Sequence, residues 1–247
     1  MITIGASIVD HGPRYAETLP GRIPVEPWAT YTNLVFLFTI VYWALRIRRS
    51  PVRHRMLIFA LPILGIGWFG GTVYHATRSH NLWLAMDWMP IMILALTAAF
   101  WLWRGITGRS LFAALAMELS FLPTMLVHNL PGLKHGYHIS LGYSMMALTI
   151  LVPAGIHCAL RWRAGWPRLA CSVAAFAVAI AARVLDSLAG QNLLPMGSHF
   201  LWHIFGGLAA FCLISYIFGA GERAAKGLSP SASAAPNNSD ETADQRG

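Results

Sequence analysis

Residues 198–219, SHFLWHIFGGLAAFCLISYIFG, run for 22 residues without a Lys, Arg, Asp or Glu. A bilayer core about 30 Å thick is crossed by roughly 20 apolar helical residues, because every backbone N–H and C=O must be satisfied inside the segment. The stretch therefore reads as a membrane-spanning helix, and six further stretches of the same kind precede it. The predicted spans are approximately Trp28 to Leu45, Met56 to His75, Leu82 to Trp103, Ser110 to Val127, Tyr137 to Leu160, Pro167 to Asp186 and Ser198 to Gly219. The expected fold is an all-α, integral-membrane bundle of seven transmembrane helices.

The 247 residues are 56% hydrophobic and 11% charged, with ten Trp and ten Met, a balance outside the soluble globular range. The formal charge of +8 does not point to nucleic acid, because most Lys and Arg sit in short clusters between apolar runs. RIRRSPVRHR (46–55) joins the first two spans with five Arg. The third and fifth connections carry Arg104 with Arg109, and Arg161 and Arg163 with Arg168. The alternate connections hold only Arg78, Lys134 and no basic residue, so the positive-inside rule puts the N-terminus outside and the C-terminus in the cytoplasm.

Residues 1–27, with Asp10, Arg14, Glu17 and Arg22 and no continuous apolar run, read as an extracytoplasmic segment and not as a cleaved signal peptide. Residues 28–220 form the seven-helix domain. Residues 221–247, rich in Ser, Ala, Pro, Asn and acids, read as a disordered cytoplasmic tail. No internal repeat supports an inverted-repeat transporter. Cys158, Cys171 and Cys212, odd in number and without CxxC spacing, read as small core side chains. No obligate protein partner is implied.

Ionisable groups inside spans are costly and usually face the bundle interior, so their depth is informative. The second span ends at His75. The third meets Asp87 six residues in, about 8 Å deep at 1.5 Å per residue. The seventh opens with His199 and has His203 one turn deeper, so all four residues fall in one outer layer. Spacing of i, i+4 places His199 and His203 on one helix face, where two imidazoles can meet one ion. A third histidine would complete a His₃ set with an open position for water, as catalytic zinc requires, although other divalent metals also suit these ligands. Zinc lowers the pKa of such a water to about 7, and Asp87 could orient it or accept its proton. A lone membrane histidine is more often a hydrogen-bonding group between helices; it is the matched depth of four residues that favours a metal.

The segments FGGTVYHAT (69–77), LAMDWMPIM (84–92) and HFLWHIFGG (199–207) resemble, in order, the motifs of the alkaline ceramidase family. That family belongs to a seven-span superfamily that includes adiponectin-receptor-like proteins. YAETLPGRIPVEPWATYTNLVFLF (15–38) is similar to the N-terminal pattern of bacterial members, which implies the bacterial inner membrane. The resemblance implies a zinc-dependent amidase acting on membrane lipid amides such as ceramide, with His75, His199 and His203 as ligands and Asp87 as the acid/base residue. A hydroxyl one turn before the first His usually aids the oxyanion. Here Gly71 stands four before His75, and Thr72, three before it, is the nearest substitute. The resemblance further implies calcium at Glu17 and Glu26, although Pro13 stands where an Asp four before the first Glu is expected. Glu26 has a second reading as an anion at a helix N-terminus that begins with Pro27.

Other polar residues carry simpler expectations. Glu118, near the middle of the fourth span, must be protonated, paired or turned inward. Arg183 and Asp186, i and i+3, can neutralise one another, and Asp186 could accept from the second nitrogen of a metal-bound imidazole. His80, His128, His135 and His138 read as solvated loop residues, Trp43, Trp101 and Trp103 as interfacial belt residues, and Trp202 as lining the site or packing on a neighbour. Two functions from different classes fit this pattern. One is the hydrolase; the other is a lipid-binding or receptor-like protein in which the metal only joins helices, a reading favoured by the missing hydroxyl at Gly71. A proton or solute carrier needs ionisable groups strung across the bilayer, and only Glu118 and His157 lie elsewhere in the spans.

Overall fold

The computed structural model describes residues 8–127, 135–189, 192 and 194–227. Its helices are α1 Pro27–Thr32, α2 Leu34–Arg48, α3 Arg55–Thr77, α4 Asn81–Thr107, α5 Ser110–Val127, α6 His135–Arg161, α7 Trp166–Ala189 and α8 His199–Ala225, with a 3₁₀ turn at Arg163–Gly165. With α1 and α2 taken as one, seven helices among the described residues are long and apolar enough to cross a membrane. This is a multi-pass membrane architecture, and every predicted span falls on one of these helices.

Apolar side chains cover both faces of these helices. Those turned inward form a core at the end of the bundle away from the histidines, where Trp43, Leu57, Leu102, Leu169 and Tyr216 pack together. Those turned outward, such as Leu111, Leu115 and Leu119 of α5, stay exposed, as a lipid solvent allows. Without a hydrophobic drive between helices in lipid, close backbone approach supplies the packing. Helix α3 meets α4 in this way: a Cβ on Gly70 would lie 2.2 Å from the Met86 Cβ. Helices α7 and α8 form the other intimate pair.

The segment before α1 folds back over the histidine-bearing end as a strap. Val9 and Val25 donate backbone N–H bonds to the Arg78 and Ala76 carbonyls at 3.1 and 2.9 Å, and Glu26 donates to the His75 carbonyl at 3.0 Å. The strap thereby satisfies carbonyls that the last turn of α3 leaves open.

Several expectations change. Trp43 is a core residue, 4% exposed, not a belt residue. Of the three alternatives for Glu118, pairing and an inward turn do not hold, since it is exposed on the outer face of α5 and makes no ion pair among the described residues; on a helix apolar all round, sequence gives no inward face to assign. Helix α8 runs through residues 221–225, predicted as tail, because Glu222 is held there by Ser50 and by His54 Nε2 at 3.1 Å. Cys158 is buried, but Cys171 is exposed and Cys212 partly so, their sulfurs in contact at 2.8 Å between α7 and α8. His80 is no idle loop residue: its Nδ1 accepts the Leu82 N–H at 2.9 Å and caps α4. His128 and the side chain of His135 lie outside the described residues.

Candidate metal centre

His75 closes the last turns of α3, and His199 and His203 open α8. All three are buried, and one ring nitrogen of each falls within 4.8 Å of the others. The Nε2 atoms of His199 and His203 stand 3.3 Å apart. Two nitrogens each about 2.0–2.1 Å from a tetrahedral zinc are separated by about 3.3 Å, so this pair fits such an ion.

Neighbouring groups hold the outer nitrogens of two of the rings. A carboxylate accepts, so His75 Nδ1–H donates to Glu26 Oε2 at 2.6 Å, and His203 Nδ1 lies 2.7 Å from the Asn33 side-chain amide. Both contacts are on Nδ1, which leaves Nε2 of each ring for an ion, the arrangement usual for metal-binding histidines. Tyr15 of the strap stacks on His199 with centroids 3.4 Å apart and planes 9° apart. Burial pushes the Tyr15 phenol up to about 12, against the pull of the Arg183 charge, so it stays protonated.

Asp186 was expected to pair with Arg183 or to accept from an imidazole, and the structure places it otherwise. Its carboxylate accepts backbone N–H bonds from Ser198 at 2.7 Å, His199 at 3.1 Å and Ala16 at 3.3 Å. The open N–H groups at the start of α8 bind a carboxylate in preference to a neighbour on its own helix. Asp186 thus orients His199 through its backbone. Arg183 instead lies over the rings of Tyr15, Tyr143 and Trp202 at 5.3–5.7 Å. Trp202 fulfils both its readings, lining the cavity and packing on Tyr143.

Asp87 joins the three histidines on the wall of one cavity of about 540 Å³. The cavity follows α3 from His75 to Met56, roughly 28 Å at 1.5 Å per residue, between mostly apolar walls such as Leu61, Ala98 and Ile217. Thr72 is not on that wall, and its hydroxyl donates to the Trp68 carbonyl one turn back at 2.7 Å. At Gly71 a Cβ would lie 2.3 Å from Asp87 Oδ1 and 3.2 Å from Asn33 Nδ2. The space of a side chain at residue 71 is taken by the Asp87 carboxylate.

Glu17 and Glu26 do not converge as calcium ligands. Glu17 accepts the backbone N–H of Trp28 at 2.6 Å and of Ala29 at 3.0 Å, capping α1 from a distance, the role sequence assigned to Glu26. Burial pushes the Glu17 carboxyl up to about 7, against those two bonds. Glu26 takes His75, the Thr18 hydroxyl at 2.7 Å and the Arg78 guanidinium. The same guanidinium binds Asp10 through Nε at 2.8 Å and a second nitrogen at 2.6 Å, and reaches the Pro13 and Gly12 carbonyls at 3.0 and 3.2 Å. Two carboxylates and two carbonyls would suit a hard dication, but a fully buried side-chain cation stands among them. Calcium does not fit.

Asn33, Tyr15 and Arg78 were not singled out by sequence as site residues. No protein-family model matches the chain, and no curated protein matches it.

Proposed function

We propose that this protein is a metal-dependent membrane hydrolase that opens the amide bond of an acylated lipid, as its resemblance to alkaline ceramidases implies. The observation that carries the reading is the meeting of three imidazoles and Asp87 at the head of a long apolar cavity. His75, His199 and His203 would hold the ion, and zinc suits three nitrogen donors with an open position. Such an ion supplies a water of pKa about 7 and polarises a carbonyl.

Asp87 takes a proton from the attacking water and returns it to the leaving nitrogen. The apolar walls hold an acyl chain and exclude bulk water, and 540 Å³ lies in the range of about 300–1,000 Å³ of ligand cavities. In the expected topology the reaction occurs at the outer side of a bacterial inner membrane.

A second reading, a lipid-binding or receptor-like protein with a structural metal, is favoured by the committed Thr72 hydroxyl. Metal analysis with hydrolysis of a panel of ceramides and other N-acyl lipids separates the two. Wild type is expected to hold one metal ion per chain and cleave a lipid, and His203→Ala to lose both. Stoichiometric metal with every lipid intact would leave the second reading standing.

A further inference from the structure

Asn33 lies at the joint of α1 and α2, is 3% exposed, and lines the cavity with the three histidines and Asp87. Its side-chain orientation is determined by chemistry. A His203 that turns Nε2 to a metal must carry its proton on Nδ1, so the atom 2.7 Å away is the Asn33 oxygen. The amide nitrogen is then turned away from His203, and Nδ2 is buried with no hydrogen-bond partner. An unpaired buried donor costs about 1–3 kcal/mol, and a native structure tolerates one where the partner arrives later.

The place of Nδ2 says what that partner is. A Cβ built on Gly71 would touch both Asn33 Nδ2, at 3.2 Å, and Asp87 Oδ1, at 2.3 Å, so the two groups flank one notch, and both residues line the cavity with the three histidines. A hydrolytic centre needs a fixed donor there, aimed at the oxygen on which negative charge develops. Neither residue 71 nor Thr72 provides one: Gly71 has no side chain, and the Thr72 hydroxyl is bound to Trp68.

Resting on the hydrolase reading, we propose that Asn33 Nδ2–H is the protein's donor to the carbonyl oxygen of the scissile amide. As water adds to the carbonyl carbon, the C=O π pair moves to that oxygen, which Asn33 stabilises, while Asp87 takes one water proton. The pair then returns, the C–N bond breaks, and the nitrogen leaves as an amine with the proton from Asp87. Amide and water become carboxylic acid and amine, and no other reactant is required. Asn33 thus serves through its two ends, Oδ1 positioning His203 and Nδ2 facing the substrate.

The two ends are separated by Asn33→Asp, which keeps an acceptor for His203 and removes the donor, and by Asn33→Ala, which removes both. Metal per chain, melting temperature, kcat and KM are measured on the full chain in lipid nanodiscs with whichever N-acyl lipid wild type cleaves. Asn33→Asp is expected to retain wild-type metal while kcat falls by about 10²–10³-fold, with the melting temperature recording separately what a second buried carboxyl beside Asp87 costs. Asn33→Ala is expected also to weaken zinc affinity by about 10–100-fold in a chelator competition, a readout independent of turnover. Metal-loaded Asn33→Asp with kcat within threefold of wild type overturns the proposal and leaves the hydrolase reading intact. Metal-loaded wild type that cleaves no lipid overturns both.

Discussion

Arg78→Met tests whether a side-chain cation holds the strap over the site. Arg78 is fully buried and binds both Asp10 and Glu26, which are themselves 9% and 0% exposed. Removing the cation leaves two buried carboxylates uncompensated, a change that costs about 3–5 kcal/mol. At roughly 2–4 °C per kcal/mol for a domain of this size, the melting temperature should fall by about 6–20 °C. Differential scanning fluorimetry in detergent, with and without millimolar Ca²⁺ or EGTA, measures it. Wild type should ignore both additions, whereas Arg78→Ala, with space among the oxygens, should be partly restored by Ca²⁺. A wild type that loses stability in EGTA and regains it with Ca²⁺ but not with Zn²⁺, or an Arg78→Met variant within about 2 °C of wild type, refutes the reasoning. Burial would raise the Asp10 carboxyl, but hydrogen bonds from Arg78 and Gly12 and the Arg78 charge hold it below its ordinary 3.8. Its contribution is therefore present above pH 3.8 and lost as pH falls through the lowered value. Arg78→Met should remove that acid dependence as well.

Glu17 has the opposite sign. Its folded carboxyl is raised from 4.5 to about 7, so its contribution to stability is greatest below pH 4.5 and declines as pH rises toward 7. Glu17→Gln should flatten melting temperature across that window, and an unchanged slope would show that another group is its source. In Gly71→Ala the new methyl must displace the Asp87 carboxylate, so lipid cleavage should fall by about 10²-fold with metal content retained; undiminished turnover would mean that Asp87 is free to move aside. Glu118→Leu removes a carboxyl from an outward face, so the melting temperature should hold or rise. A drop of about 4 °C, equivalent to roughly 1–2 kcal/mol, would reveal a partner for it.

The seven spans were legible because length and apolarity suffice for them, and His75, Asp87, His199 and His203 because depth along a helix can be counted. Asn33 escaped although the same count finds it: it lies six residues into the first span, as Asp87 lies six into α4. Counting only ionisable groups hid it. Asp186 and Glu26 were found as acids but given the wrong partners, since spacing along one helix says nothing of the N–H groups at the start of α8 or of Arg78. Thr72 does share a helix face with His75, yet a hydroxyl in a membrane helix can satisfy itself on the carbonyl one turn back.

The strap and α1 supply Glu26 and Asn33 to imidazoles that lie far along the chain, His203 170 positions after Asn33. At a synthesis rate of about 5–20 residues per second, roughly 10–35 seconds separate translation of Asn33 from that of His203. His203, the partner of the Asn33 amide, is not yet made during this interval, and the cluster closes only when the last helix docks against the first. Any metal taken up by the three-histidine cluster would therefore be bound only late in biogenesis, once α8 with His199 and His203 has been made.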